Sequence, residues 1–272
     1  MRYNARVVRT RRPRLGQHFL VSEGHRRRII EALDLREEDF VIEIGAGRGA
    51  MTALLAPRVR HLVAIELDAS LAEALAAQFQ GKNVEILMGD ILTTDLADLC
   101  RRQRVEKCLV FGNLPYYITS PIVHHLFKFA PSIRGMALLV QREVAERLTA
   151  RPGSRAYGYL SVLAQLYSEP RIRLIVPPGA FSPPPKIQSA LVQFLMRSKY
   201  PEWTPDDQAR FLRFAKHCFA QKRKNLLNNL RASFQRARVI EALASHGLAT
   251  STRAEEMNLG QFADLWRDLR QL

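Results

Sequence analysis

With 272 residues, 47% of them hydrophobic and 25% charged, the chain can bury a substantial core as one large domain, or as a large domain with a small one. No apolar run approaches the thickness of a bilayer, no signal-peptide pattern opens the chain, and Cys100, Cys108 and Cys218 lack paired spacing, which excludes a membrane span, a disulfide frame and a cysteine zinc site and points to free thiols in a reducing, cytoplasmic setting. The net charge of +15 is segregated: residues 1–28 carry nine Arg against one Glu, residues 203–272 carry twelve Lys/Arg against seven Asp/Glu, and the body between is nearly neutral, a distribution that favours a polyanionic partner.

Residues 1–14, with Arg2, Arg6, Arg9, Arg11, Arg12 and Arg14 and no acid, read as a flexible basic arm. A mitochondrial transit segment ranks lower, because the stretch is short and runs straight into patterned sequence. Leu15 to Leu20 follows as a compact polar and aromatic turn, then a helix over about Glu23 to Leu33. Phe40 to Ile44 predicts a buried strand leading into Gly45-Ala46-Gly47-Arg48-Gly49 and a helix through Leu55. Strand and helix then alternate: strands at His61 to Glu66, Val84 to Met88, Lys107 to Phe111 and Gly135 to Val140, with helices at Ser70 to Phe79 and Pro121 to Phe129. Two more helices are expected near Arg142 to Thr149 and Tyr157 to Tyr167, and an antiparallel pair at Arg171 to Val176 and Ser189 to Leu195. This order argues for an open, mostly parallel, Rossmann-like α/β sheet over residues 1–200. Beyond Pro201, Pro205 to Leu272 reads as three helices, broken near Arg231 to Arg238 and at Gly247, forming a small all-helical domain over 201–272.

Three strand ends carry the chemistry. Glu43-x-Gly45-x-Gly47-x-Gly49 is a glycine loop between strand and helix, where a backbone can approach a ligand. Gly45-x-Gly47-x-x-Ala50 also fits the loose dinucleotide fingerprint, with Glu66 placed to hold ribose hydroxyls. Against a dinucleotide, Glu43 sets an anion where a pyrophosphate would be repelled, and Asp90 adds a carboxylate at the third strand, able to receive an adenine amine. Carboxylates at three successive strand ends suit a cofactor with ribose, adenine and a cationic amino-acid tail and no phosphate, namely S-adenosylmethionine. Taken singly, Glu66 and Asp90 could each be a solvated turn residue.

The fourth strand delivers Phe111-Gly112-Asn113-Leu114-Pro115-Tyr116-Tyr117 to the same edge. Asn113 offers a side-chain carbonyl, Pro115 holds the neighbouring carbonyls by fixing φ, and Tyr116 adds a flat face. Acceptors beside a stacking surface suit a nucleobase bearing an exocyclic amine, although a strand end, a proline turn and two ordinary tyrosines would look the same. A neutral Asn113, where an acid would suit DNA amine methylation, leans towards RNA. Gln221-Lys222-Arg223-Lys224 would be a solvated helix face in most proteins, but appended to such a body it favours contact with an RNA backbone. His124-His125 has no accompanying ligands and reads as helix surface and core, with no metal.

In this order the pieces resemble the KsgA-type small-subunit ribosomal RNA adenine dimethyltransferases along nearly the whole chain. The matching segments are Gly16 to Leu20, Glu43 to Gly49, Glu66, Gly89-Asp90-Ile91, Asn113 to Tyr116, Phe181 to Ala190, Phe219 to Lys224, Asn228-Asn229-Leu230 and Arg253 to Glu256. The resemblance implies that S-adenosylmethionine is the cofactor, contacted by His18, Leu20, Gly45, Glu66, Asp90 and Asn113, and that Asn113, Leu114, Pro115 and Tyr116 form the catalytic stretch. It implies dimethylation of two adjacent adenines near the 3′ end of the small-subunit rRNA late in assembly. Partners are then the small ribosomal subunit and its rRNA, with no membrane and no metal, the enzyme acting as a monomer. His18 departs from the family's usual Asn, Arg48 from a usually apolar residue, and Asn225 from a common Thr. Two other readings stand: the related large-subunit rRNA adenine methyltransferase of macrolide resistance, and a non-catalytic RNA-binding assembly factor.

Overall fold

Five hydrophobic strands that cannot tolerate solvent on either face dictate a layered α/β body, and that is what forms. A computed structural model describes residues 17–270; the basic arm at 1–14, with Leu15 and Gly16, lies outside them. In chain order the elements are β1 (Phe19–Leu20), α1 (Glu23–Ala32), β2 (Phe40–Ile44), α2 (Thr52–Leu55), β3 (His61–Glu66), α3 (Ala69–Gln78), β4 (Val84–Met88), α4 (Leu96–Arg102), β5 (Cys108–Asn113) and α5 (Thr119–Lys128). They continue with β6 (Ile133–Gln141), α6 (Arg142–Leu148), α7 (Tyr159–Tyr167), β7 (Ser168–Val176), β8 (Phe181–Ser182) and β9 (Ser189–Met196). The last segment holds α8 (Pro205–Cys218), α9 (Leu226–Leu230), α10 (Arg236–Ser245) and α11 (Leu259–Arg270).

Seven strands form one sheet in the order β4-β3-β2-β5-β6-β9-β7. β4 through β6 are parallel, and β9 runs antiparallel to both β6 and β7. The chain leaves β2 towards β3 and β4, then returns to the other side of β2 as β5. The carboxyl ends of β2 and β5 therefore flank the point where strand order reverses, the place where open α/β sheets hold ligands. β2 is buried at every position and β5 at all but Asn113, as parallel strands covered on both faces must be.

Several boundaries differ from the sequence-based expectation. The fourth strand runs on to Asn113, which pairs with Leu139 of β6, so the site asparagine is held by the ladder rather than by a loop beyond it. The glycine loop feeds only the four-residue α2, because Pro57 turns the chain into a 3-10 turn at Ala56–Arg58. An unexpected helix, α4, starts where the Asp95 side chain accepts from the Asp98 N–H, a local cap that strengthens an otherwise weak pattern. Two short strands, β1 and β8, pair antiparallel with Phe19 opposite Ser182 and Leu20 opposite Phe181. The final segment has four α-helices instead of three. Asn225 caps α9 by accepting from the Asn228 N–H, which restarts a helix just after the Lys222–Lys224 run.

The core does not stop at the sheet. Phe127 of α5 stacks on Tyr167 and meets Phe194 edge-on at 5.1 and 5.8 Å between centroids. Tyr157 then contacts Phe219 at 6.1 Å, and Phe219 contacts Phe262 at 5.4 Å. Trp203, Phe211 and Trp266 close the helical end, with the two indoles 4.8 Å apart. Such aromatic pairs add about 0.5–1.5 kcal/mol each beyond buried area, and they tie the helices 205–270 to the sheet body. Cys100 and Cys108 are free thiols that share the Ser132 carbonyl, at 3.6 and 3.4 Å. No helix among the described residues is long and apolar enough to cross a membrane.

Candidate active site

The switch point opens into a cavity of about 300 Å3 lined by the ends of β2, β3, β4 and β5 and by residues 17–21. Its floor is the glycine loop. Gly45 and Gly49 both adopt positive φ, at 71° and 76°, a region in which a Cβ is strained. At Gly49 a Cβ would also lie 2.8 Å from Leu75 and 2.9 Å from Phe79, so this glycine is needed for packing α3 against the loop as well as for the turn.

Glu66 ends β3 and is 3% exposed. Its Oε2 accepts the Gly47 N–H at 2.8 Å and its Oε1 the Asp68 N–H at 3.0 Å. A carboxylate oxygen has two lone pairs, so both oxygens retain an acceptor site while holding the loop in shape. Asp90 sits half-buried after β4, with Oδ1 capping the next turn through the Leu92 N–H at 2.9 Å. Glu43 differs from its expected role as a fixed anion. It lies within β2, 2% exposed, and accepts from the Thr52 hydroxyl at 2.7 Å. Burial, opposed by the Thr52 bond and reinforced by Glu66, pushes its carboxyl up to about 7. Near neutral pH it is therefore only partly ionised, and repulsion of a phosphate falls chiefly to Glu66.

At the end of β5 the side-chain amide of Asn113 contacts the His18 carbonyl at 3.0 Å. A carbonyl can only accept, so the amide atom there is Nδ2. That leaves Oδ1 as the atom available to a ligand in the cavity. Leu114 is buried and its N–H donates to the Leu139 carbonyl at 3.0 Å. Pro115 has φ −60° and ψ 131°, and its carbonyl accepts from the Thr119 hydroxyl at 3.1 Å. The Tyr116 hydroxyl is 2.7 Å from Ser189 Oγ; burial, opposed by the Ser189 bond, raises its pKa. Its ring stacks on His18 at 5.4 Å and 28°, and His18 Nδ1–H donates to the Pro183 carbonyl at 2.7 Å. Leu20 is buried and paired with Phe181. Residues 17–20, distant in sequence, are thus fastened over the catalytic stretch. The Arg48 guanidinium sits over the Phe19 ring at 4.7 Å, which gives this polar departure a place outside the loop's packing.

The structure brings His18, Leu20, Gly45, Glu66, Asp90, Asn113, Leu114, Pro115 and Tyr116 to this one cavity. It does not bring Lys222, Arg223 and Lys224 there. These three are exposed in the turn between α8 and α9, not on a helix face. Asn229 shapes the turn: its Nδ2 donates to the Cys218 carbonyl at 2.7 Å and its Oδ1 accepts the Gln221 N–H at 3.2 Å. Lys222 Nζ donates to the Arg155 carbonyl at 2.6 Å, linking the turn to the loop before α7. His124 stacks on Tyr159 and is pushed down by burial and then by Lys216 and Lys128. His125 Nε2 donates to the Thr94 carbonyl. Among the described residues no group of three or more His, Cys, Asp or Glu could hold a metal.

Two further residues, Gly112 behind the site and Arg26 in its wall, had no role assigned from the sequence. Gly112 is required because a Cβ would lie 2.7 Å from Leu114 and 3.2 Å from Ile44. Arg26 lines the cavity from α1; its spacing of three and four from the buried Ile29 and Ile30 was a legible sign that it faces inward.

The ribosomal RNA adenine dimethylase family matches residues 8–271. The chain belongs to this family. A ribosomal RNA small subunit methyltransferase A of Acidobacterium capsulatum is 48% identical, over 95% of this chain and 91% of its own. The protein of the same name from Koribacter versatilis is 39% identical, over 96% and 95%. Among solved structures, the 23S rRNA methyltransferase ErmE is 28% identical with a TM-score of 0.71, covering 93% of this chain and all of its own. A dimethyladenosine transferase from Plasmodium falciparum, 24% identical with a TM-score of 0.77 over 91% of this chain and 96% of its own, shares the fold. This ribosomal RNA adenine dimethylase is thus a methyltransferase with the class I sheet and a helical C-terminal segment. Its more similar relatives carry the small-subunit name, and the large-subunit enzyme is more remote.

Proposed function

We propose that this protein transfers methyl groups from S-adenosylmethionine to N6 of two adjacent adenines near the 3′ end of small-subunit rRNA, two per base, with residues 1–200 as the catalytic body and 201–272 as the rRNA-contacting segment. One observation carries the reading. Asn113 Nδ2 is tied to the His18 carbonyl, which leaves Oδ1 for a ligand in the cavity that Asn113 and Tyr116 both line. An adenine amine has two N–H donors. Asn113 Oδ1 and the Leu114 carbonyl take both, and this draws the nitrogen from its planar, delocalised state towards a tetrahedral one with its lone pair exposed. The methylated nitrogen is acidic and loses its proton without a strong base. Positioning and electrostatics perform the catalysis.

The residues present fit the cofactor. Glu66 retains lone pairs for two ribose hydroxyls, Asp90 would accept from an adenine amine, and the buried Ile91 offers an apolar wall. When bound, that cofactor supplies an electrophilic sulfonium methyl. The Tyr116 ring, held by Ser189 on one side and His18 on the other, provides the face on which the unstacked base rests. The base reaches it only after leaving its stack, at a cost of a few kcal/mol. The basic turn at Lys222–Lys224 would hold rRNA phosphates and so position the substrate without selecting a base.

The assay is methyl transfer from labelled S-adenosylmethionine to small and to large ribosomal subunits lacking the modification. Labelled N6,N6-dimethyladenosine in small-subunit rRNA is expected. Label confined to the large subunit would favour the macrolide-resistance type, and no label on either would favour a non-catalytic assembly factor.

A further inference from the structure

Glu43, Glu66 and Asp90 can take an ammonium, ribose hydroxyls and an amine, but a carboxylate brought in with them needs a cation or a set of donors. Among the described residues two guanidinium groups line this cavity, those of Arg48 and Arg26. Arg48 is engaged over the Phe19 ring. Arg26 stands on the first turn of α1 and spends one Nη2 hydrogen on the Val21 carbonyl at 3.3 Å. Its Nε is shielded from solvent and has no hydrogen-bond partner among the described residues.

A shielded, unpaired guanidinium N–H is costly, because it has lost water and gained nothing in exchange. It persists readily where a ligand supplies the missing acceptor. Arg is suited to a carboxylate in particular, since Nε–H and one Nη–H present a parallel pair of donors to the two oxygens. With Nη2 already used once by the Val21 carbonyl, the guanidinium is also held in place, so little side-chain entropy is lost on binding.

Resting on the cofactor assignment above, we propose that Arg26 receives the carboxylate of the amino-acid tail of S-adenosylmethionine. The tail then lies between Glu43 of β2, available to its ammonium, and Arg26 of α1, available to its carboxylate, with Glu66 of β3 left to the ribose. Arg26 is a binding residue and takes no part in the transfer step. The other anion that could fill the same place is an rRNA phosphate, and the two are separable by experiment.

The test is calorimetric binding of S-adenosylhomocysteine and of 5′-deoxy-5′-methylthioadenosine to wild type and to Arg26→Gln. The second ligand keeps the adenosine and the thioether but lacks the tail. The expected result is at least a tenfold loss of affinity for S-adenosylhomocysteine with affinity for methylthioadenosine changed less than twofold, which also shows that the variant is folded. Arg26→Lys, which keeps the charge but not the paired donors, should fall between. Equal losses for both ligands, or no loss for either, would overturn the assignment. Unchanged S-adenosylhomocysteine affinity with a raised KM for ribosomal subunits would also overturn it and place a phosphate at Arg26. Glu66→Ala separates this from the cofactor reading itself: it should weaken both ligands. If wild type bound neither ligand, the cofactor reading would fail and Arg26 with it.

Discussion

Glu43 gives the folded protein a pH dependence that can be worked out from its surroundings. Its carboxyl is 2% exposed within β2, and burial raises it from the usual 4.5 to about 7, against the Thr52 hydrogen bond and with the help of Glu66. In the unfolded chain Glu43 returns to its ordinary value. Between these two values the folded state holds a proton that the unfolded state has released. The contribution to stability is therefore full below about 4.5 and is lost as pH rises through about 7. At about 1.4 kcal/mol for each pH interval of one, the gap from 4.5 to about 7 corresponds to about 3 kcal/mol, with ~2 to 3 kcal/mol of it falling between pH 5 and 8. Urea denaturation of wild type and Glu43→Gln across that range, at fixed ionic strength, cancels the other titrating groups. The Gln variant should gain on wild type as pH rises, by that amount. A difference that stays constant with pH would refute the reasoning, since it would mean that Glu43 is solvated or already paired as an anion in the fold. A bound cationic ligand should favour the ionised carboxylate, so cofactor binding near pH 7 should release protons into the buffer.

Glu66→Ala should weaken the cofactor by roughly 1.5–3 kcal/mol, the range for a hydrogen bond to a charged group, and should also loosen the glycine loop, because Gly47 loses its acceptor; near-normal affinity by calorimetry would return Glu66 to an ordinary turn residue. Charge reversal of Lys222, Arg223 and Lys224 should raise KM for small subunits and leave cofactor affinity unchanged. With Lys222 already tied to Arg155, two phosphate contacts are at stake, and the slope of log K against log salt should flatten by about 1.4 to 1.8. Parallel slopes for wild type and variant would place the rRNA surface elsewhere.

Most strands of the parallel body were legible as short apolar runs, and two of them end in a glycine or an acid: Val84 to Met88 before Gly89-Asp90, and His61 to Glu66. The cavity's strand-end carboxylates and Asn113 were legible too, since strand order alone puts them on one edge. What was not legible depends on partners far along the chain. Nothing in Phe19-Leu20 announces a strand, because it becomes one only by pairing with Phe181 and Ser182. Glu43 reads as an anion until the depth of β2 is known, and burial is a tertiary property. The turn at Lys222 to Lys224 looked helical because its residues are good helix formers. It is held open instead by Asn229, whose amide bonds to Cys218 and Gln221 compete with helix continuation. His18 shows the same limit: the family resemblance implies a cofactor contact there, and only the fold shows that its ring lies on Tyr116 and its carbonyl orients Asn113.

Amine activation turns on Asn113 Oδ1 and on the His18 carbonyl that holds the amide. Its most direct test is the single-turnover rate of methyl transfer to unmethylated small subunits by Asn113→Ala, measured together with cofactor affinity. Removing one oriented polar group from such a site typically costs about 2.7–4 kcal/mol in the barrier, so the rate should fall by roughly a hundredfold to a thousandfold while cofactor affinity stays largely intact. A variant that bound the cofactor normally and transferred methyl groups at the wild-type rate would contradict the assigned role of the amide oxygen.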